Sequence, residues 1–305
     1  MMTQQSTLKR PMERPYIETK KPRKWFGSRS LFGFSIGAIP LIWQAIFFLM
    51  PMLFLVMMTF WKVEAFRPVP AFSFDNWLRI LGSTAFQRAF MHTLELSLVS
   101  SVMATLIALP AACILAFRTS PQMRTLFLGL LIVPVFTSYV LRAYAWQIVL
   151  SPLGLVNSLL GFIGIEPIPL LGGKLSLYIG FMTLTLPIVI LIQTFALMGV
   201  DRSHLEAASN LGCRPYQVFF RVLLPSIRGG LVLGASTTFM LTFGDYIAPL
   251  LLSGSRPPTL SILIIDTIKS GAQWPRASVI GIVMMLTIGS MLILAQLLSS
   301  RRIGK

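Results

Sequence analysis

Six long stretches of the chain are almost unbroken runs of apolar side chains, at approximately 34 to 60, 94 to 117, 126 to 150, 175 to 198, 229 to 252 and 278 to 299. A helix needs about 20 apolar residues to cross the hydrocarbon core of a bilayer, so each stretch predicts one membrane-spanning helix. The first five carry prolines, at Pro40 and Pro51, Pro110, Pro134, Pro187 and Pro249. A kinked helix in lipid needs partners for the carbonyls that proline frees, from neighbouring helices or from a water-lined cavity. The kinks therefore point either to a bundle around a path or to ordinary irregularity of packing. Gly230 and Gly234 form a small-xxx-small pair at the start of span five, which predicts close approach of another helix. Among the connections, residues 61 to 92 form the longest, with Phe72 to Trp77 as its expected ordered piece. The apolar run Leu155 to Ile165 is too short to span and reads as a helix at the membrane interface.

Composition agrees with this pattern. Hydrophobic residues make up 55% of the chain and charged ones 12%, and the mean hydropathy is +0.76, more apolar surface than a water-soluble fold could bury. The formal charge of +16 would suggest nucleic acid, but its location argues otherwise. Residues 1–33 form a polar tail with Lys9, Arg10, Arg14, Lys20, Lys21, Arg23, Lys24 and Arg29 against Glu13 and Glu18. Such a segment cannot order itself by burial, and its charge suits anionic lipid. The tail is expected to be disordered and cytoplasmic; its basic region is too long for a cleavable signal peptide. With the tail inside, seventeen of the 26 basic residues fall in inside segments, an asymmetry that places both termini, including residues 301–305, in the cytoplasm. Cys113 and Cys213 imply no disulfide framework.

The connection at 199–228 is the most structured in its grammar. Ser203-His-Leu-Glu206 matches a capping box, which starts a helix near His204. Gly212 is placed to end it in a left-handed turn, and Pro215 opens a second helix to about Leu224, where Pro225 stops it. Arg202, Arg214, Arg221 and Arg228 put this elbow on the cytoplasmic face.

Glu206-Ala207-Ala208, three residues, Gly212, nine residues, Val222, one residue, Leu224-Pro225 resembles the signature loop of permease subunits of binding-protein-dependent ABC importers, with Val222 where Ile is usual. The resemblance implies an all-α membrane fold of the type I importer (MetI-like) kind, with residues 34–300 as the permease domain and 199–228 as its ATPase-coupling loop. It further implies an ABC ATPase dimer that binds ATP and Mg, a second homologous permease, a periplasmic substrate-binding protein facing the external loops, and the bacterial inner membrane. No cofactor is expected on this chain. Leu131-Ile-Val-Pro134 to Trp146 and Phe243-Gly-Asp245-Tyr246 are similar to the third and fifth spans of spermidine/putrescine permeases, which implies a polyamine; related importers carry opines, amino-acid derivatives or other small solutes.

Ionisable groups at membrane depth are costly and functional. Asp245 beside Tyr246, and Glu95 at the mouth of span two, could offer charge and an aromatic face to an ammonium group. Asp245 could equally pair with Arg142 or cap a broken helix, and Trp146 belongs either to the path or to an interfacial aromatic belt. Nothing suggests covalent chemistry. Gly173-Lys174 lacks the rest of a nucleotide-binding loop, since Ile168 and Leu175 stand at its other fixed positions. His92 and His204 are too far apart to suggest a metal site with the cysteines. A gradient-driven carrier would leave the elbow unexplained, and the two halves show no paired broken-helix repeat.

Overall fold

The computed structural model describes residues 40–254 and 256–300; the basic tail 1–33 and the segment 301–305 lie outside them. The chain divides into two units, 1–53 and 54–305. In the first, the described residues are helical, with a wide turn at Ala45–Leu49 and Trp43 stacked on Phe47 at 4.1 Å.

The second unit is a helical bundle. After helix α1 (Pro40–Met58) comes a hairpin of β1 (Lys62–Glu64) and β2 (Arg67–Val69), antiparallel with Lys62 opposite Val69. Then follow α2 (Asp75–Leu81), α3 (Thr84–Arg118), α4 (Pro121–Phe136), α5 (Tyr139–Val149), α6 (Leu155–Phe162) and α7 (Lys174–Met198). The elbow supplies α8 (Arg202–Asn210) and α9 (Pro215–Ser226), and the chain ends with α10 (Arg228–Phe243), α11 (Ile247–Leu252), α12 (Leu260–Lys269) and α13 (Trp274–Ser300). Among the described residues four helices are long and apolar enough to cross a membrane, and up to six spans result if each bent pair counts as one.

Where the structure departs from the hydropathy reading, the causes are local. Helix α3 begins at Thr84, some ten residues before its apolar run, because Phe86 and Ala89 join a buried cluster with Phe239, Phe243, Leu260 and Ile280. That cluster sits at the end of the bundle opposite the elbow. The long connection 61 to 92 is accordingly mostly structured, and the amide of Asn76 fastens it by donating to the carbonyls of Thr59 and Trp61, each at 2.8 Å.

Spans three and five are broken, the latter in keeping with the alternative that Asp245 caps a broken helix. Helices α4 and α5 meet at 89° across the extended residue Thr137 and Ser138. The Thr137 hydroxyl donates back to the carbonyls of Val133 and Pro134, which satisfies the end of α4 without another helical turn. Span five stops at Phe243 and restarts at Ile247. Here the Ser261 hydroxyl donates to the Gly244 carbonyl, while the Gly172 amide and the Ser176 hydroxyl donate to that of Leu252. At each break, carbonyls left by the interruption thus have hydroxyl partners, as a low-dielectric setting demands.

The small-xxx-small pair behaves as expected. A Cβ built on Gly230 would overlap the Ala196 methyl group, and one on Gly234 would lie 3.1 Å from Val189 Cγ1. The absence of side chains at these two points lets α10 lie close against α7.

Candidate functional site

Helix α8 is capped by Asp201, whose carboxylate accepts from the Ser203 amide at 2.9 Å. This corrects the expected Ser203–Glu206 capping box: Asp201 is an equally good cap in the sequence, and the helix therefore starts two residues earlier, at Arg202. The same amide bond holds the Asp201 carboxyl below the ordinary carboxylate range. Glu206 and Ala207 are left exposed on the outer face of α8 and Ala208 half-buried, while Leu205 packs inward with Ala112, Ala116, Leu197 and Leu223.

Gly212 takes φ +82°, the left-handed turn expected of it, and the Cys213 amide closes the turn on the Ala208 carbonyl at 3.1 Å. Helix α9 opens at Pro215, with the Arg214 amide donating to Gln217 Oε1. It does not stop at Leu224. A wide turn at Phe219–Leu223, closed by the Leu224 amide on the Phe219 carbonyl, takes up the missing N–H of Pro225, and the helix runs on to Ser226. There it bends by 67° into α10. The elbow's outer face carries Leu211, 85% exposed, with Tyr216 and Phe220 at 56% and 62%. Arg202, Arg214 and Arg221 of the same segment are exposed as well.

The second set of candidates lies inside the bundle. Pro187 has no N–H to give the Thr183 carbonyl one turn earlier in α7. Arg142 of α5 supplies the donor instead, with Nη1 at 2.7 Å from that oxygen. Its guanidinium lies over the Tyr139 ring, 5.9 Å from the centroid. The Tyr139 hydroxyl in turn donates to Asp245 Oδ2 at 2.9 Å, and the Asp245 carboxylate accepts the amides of Ile247 and Ala248, both at 3.1 Å. Asp245 is therefore the cap of the broken helix rather than the ion-pair partner of Arg142. One chain of contacts joins the kink in α7, the break before α5 and the break before α11.

Arg142 and Trp146 line a cavity of about 510 Å³ together with Met103, Pro134, Tyr178 and Pro187. Asp245, Tyr246 and Glu95 do not line it. Tyr246 is exposed just ahead of α11, and Glu95 is paired with Lys174 at 2.5 Å where α3 meets the start of α7. Sequence reasoning missed Thr183, Lys174 and the Tyr139 hydroxyl as partners. Tyr139 and Asp245 lie 106 residues apart, and no local pattern links them; the spacing of Thr183 four residues before Pro187 was the one readable signal.

The chain resembles known proteins over most of its length. Residues 108–305 match the family described as binding-protein-dependent transport system inner membrane component. The inner membrane ABC transporter permease protein YdcU of Escherichia coli (strain K12) is 31% identical over 228 residues, 70% of this chain and 72% of that protein. The spermidine/putrescine transport system permease protein PotB of the same strain is 26% identical over 254 residues, 82% of this chain and 92% of that one. In fold, a bacterial alginate ABC transporter solved in complex with an alginate pentasaccharide-bound periplasmic protein aligns at a TM-score of 0.72 and 22% identity. It covers 90% of this chain and 95% of that one. With its elbow motif, its apolar spans and these likenesses together, the chain belongs to the family of binding-protein-dependent inner membrane components and is a type I ABC importer permease of the inner membrane.

Proposed function

We propose that this permease is one of two homologous membrane subunits of a small-solute importer, with both termini in the cytoplasm and the elbow 199–228 docked on an ATPase subunit. As a permease subunit it is not itself an enzyme. ATP and Mg would be bound by the ATPase chains, and a periplasmic binding protein would deliver the solute to the end of the bundle opposite the elbow.

The observation that carries this reading is the outer face of the elbow. Leu211, Tyr216 and Phe220 are exposed apolar groups at the Gly212 turn and on α9, directly after a short helix fixed at one end by Asp201 and at the other by that left-handed turn, and Arg202, Arg214 and Arg221 are exposed on the same segment. Exposed aromatic groups on a segment with exposed charges suit a protein partner. Glu206, Ala207, Ala208 and Gly212 stand on the docked segment, and Leu224 and Pro225 carry it back toward α10. In liposomes holding the permease pair and the ATPase, a solute-loaded binding protein should stimulate ATP hydrolysis, and Phe220→Asp should remove the stimulation. Unchanged stimulation in that variant would deny the elbow its role.

The solute is less directly indicated. PotB, by its name, serves spermidine and putrescine, which supports a polyamine; the cavity lining supports a different class.

A further inference from the structure

We infer that the cavity beside the break in span three is a transit site for a small solute that bears a carboxylate on an apolar or aromatic body. This rests on the importer reading above and deepens it by naming the solute class. About 510 Å³ is room for a small organic molecule. The cavity is walled by Trp146, Tyr178, Met103 and the two prolines, and the one charged group in its lining is Arg142.

The guanidinium is used on one side only. Nη1 serves the Thr183 carbonyl, whereas Nε is buried and has no acceptor among the described residues. A carboxylate is the group whose geometry matches the remaining donors. The two side chains that could have received an ammonium group are already engaged. Asp245 holds the Tyr139 hydroxyl and two amides, Glu95 forms a half-exposed pair with Lys174, and neither carboxylate lines the cavity. A dication entering this space would meet an uncompensated positive charge in a low-dielectric setting, where like charges repel strongly. A carboxylate would meet an attractive one.

The test uses the assembled transporter in proteoliposomes with its binding protein. Four probes are offered. Succinate, 4-aminobutyrate and putrescine share a four-carbon chain and run from two carboxylates to two ammonium groups; the fourth is whatever solute co-purifies with the binding protein, released by denaturation and identified by mass spectrometry. Uptake is compared for the native protein, R142Q and R142K. Glutamine keeps a donor for the Thr183 carbonyl and removes the charge.

The expected result is a co-purifying cargo with a carboxylate and uptake that favours the carboxylate probes. The half-saturating concentration should rise about tenfold to hundredfold in R142Q, as for loss of a charged hydrogen bond, with partial recovery in R142K. A cargo without an anionic group, preferred uptake of putrescine, or R142Q indistinguishable from the native protein overturns the assignment. Parallel loss of membrane insertion, ATP hydrolysis and uptake in R142Q also overturns it, because Arg142 would then act through the fold alone. Solute-stimulated ATP hydrolysis with a polyamine cargo would leave the importer reading standing and remove only the carboxylate. Absence of any co-purifying ATPase would remove the importer reading first.

Discussion

Replacing Asp245 by Ala removes three acceptor interactions at once. Two of them cap α11, a loss worth about 1 kcal/mol for a typical N-cap. The third is a charged hydrogen bond from Tyr139, worth about 1.5 to 3 kcal/mol, and its loss strands a half-buried hydroxyl. The cost of opening α11 should fall by about 2.5 to 4 kcal/mol, so the backbone amides of residues 247–252 should exchange with solvent about seventyfold to eight-hundredfold faster. Asp245→Asn keeps an acceptor for the amides and should cost less than half as much. Tyr139→Phe retains the ring under Arg142 and removes only the hydroxyl, for about 1.5 kcal/mol. The double variant Tyr139→Phe with Asp245→Ala should cost no more than Asp245→Ala alone, since both act on one bond. Hydrogen exchange of the purified complex, read on the peptide covering the break, measures all four. Unchanged exchange in Asp245→Ala, or strict additivity in the double variant, would refute the cap and its tie to Tyr139.

Other outcomes follow from the same geometry. Gly212→Val should weaken the elbow by about 1 to 2 kcal/mol through left-handed backbone strain without disturbing the bundle, because nothing lies within 4 Å of a Cβ there; uptake should fall while membrane insertion holds, and Gly212→Asn should be nearly silent. Gly230→Ala should cost about 1 to 3 kcal/mol by overpacking against Ala196, read as thermal stability in detergent. Gly229→Ala, whose Cβ would lie 3.9 Å from Ser299 Oγ, serves as its harmless control. Arg142→Leu should destabilise the chain by about 2 kcal/mol by orphaning the Thr183 carbonyl, and adding Pro187→Ala should recover about half of that by returning an N–H to it. The Asp201 carboxyl is held low in the folded state by the Ser203 amide, so its cap is present above the ordinary Asp range and lost as the pH drops through the lowered value. Far-ultraviolet circular dichroism of Asp201→Asn should lack that acid-side change.

The positions of the spans were legible because bilayer thickness sets a length that hydropathy displays directly. The glycine pair and the left-handed turn at Gly212 were legible too, since each depends on what a missing Cβ permits. The break in span three was not, and that in span five only as one of the alternatives for Asp245. Gly244-Asp245-Tyr246 lies inside an apolar run, and what ends the helix there is a carboxylate whose partner is on another span. The elbow misled in two particulars. Asp201 stood ready as a cap beside a more conspicuous Ser–Glu pair, and Pro225, which ordinarily stops a helix, is absorbed by a wide turn that costs one ladder bond and preserves the axis. The charges at membrane depth were visible as residues, but their pairings, Arg142 with a carbonyl and Glu95 with Lys174, depend on packing between helices.

The corner at Ile227 has a mechanical consequence. Helix α9, twelve residues from Pro215 to Ser226, is a rod about 18 Å long joined at 67° to α10, and the joint is held by Ile227, 2% exposed and packed among Ala112, Ala116 and Leu197. A rod fixed at a buried pivot is a crank. Turning it by about 5° sweeps its free end through roughly 1.6 Å for that length, and the same torque is delivered to α10, whose glycine face has no side chains to slip against α7. A small displacement of the elbow would therefore reach the broken fifth span as rotation, with the break at Gly244 to Tyr246 at the far end of the shaft.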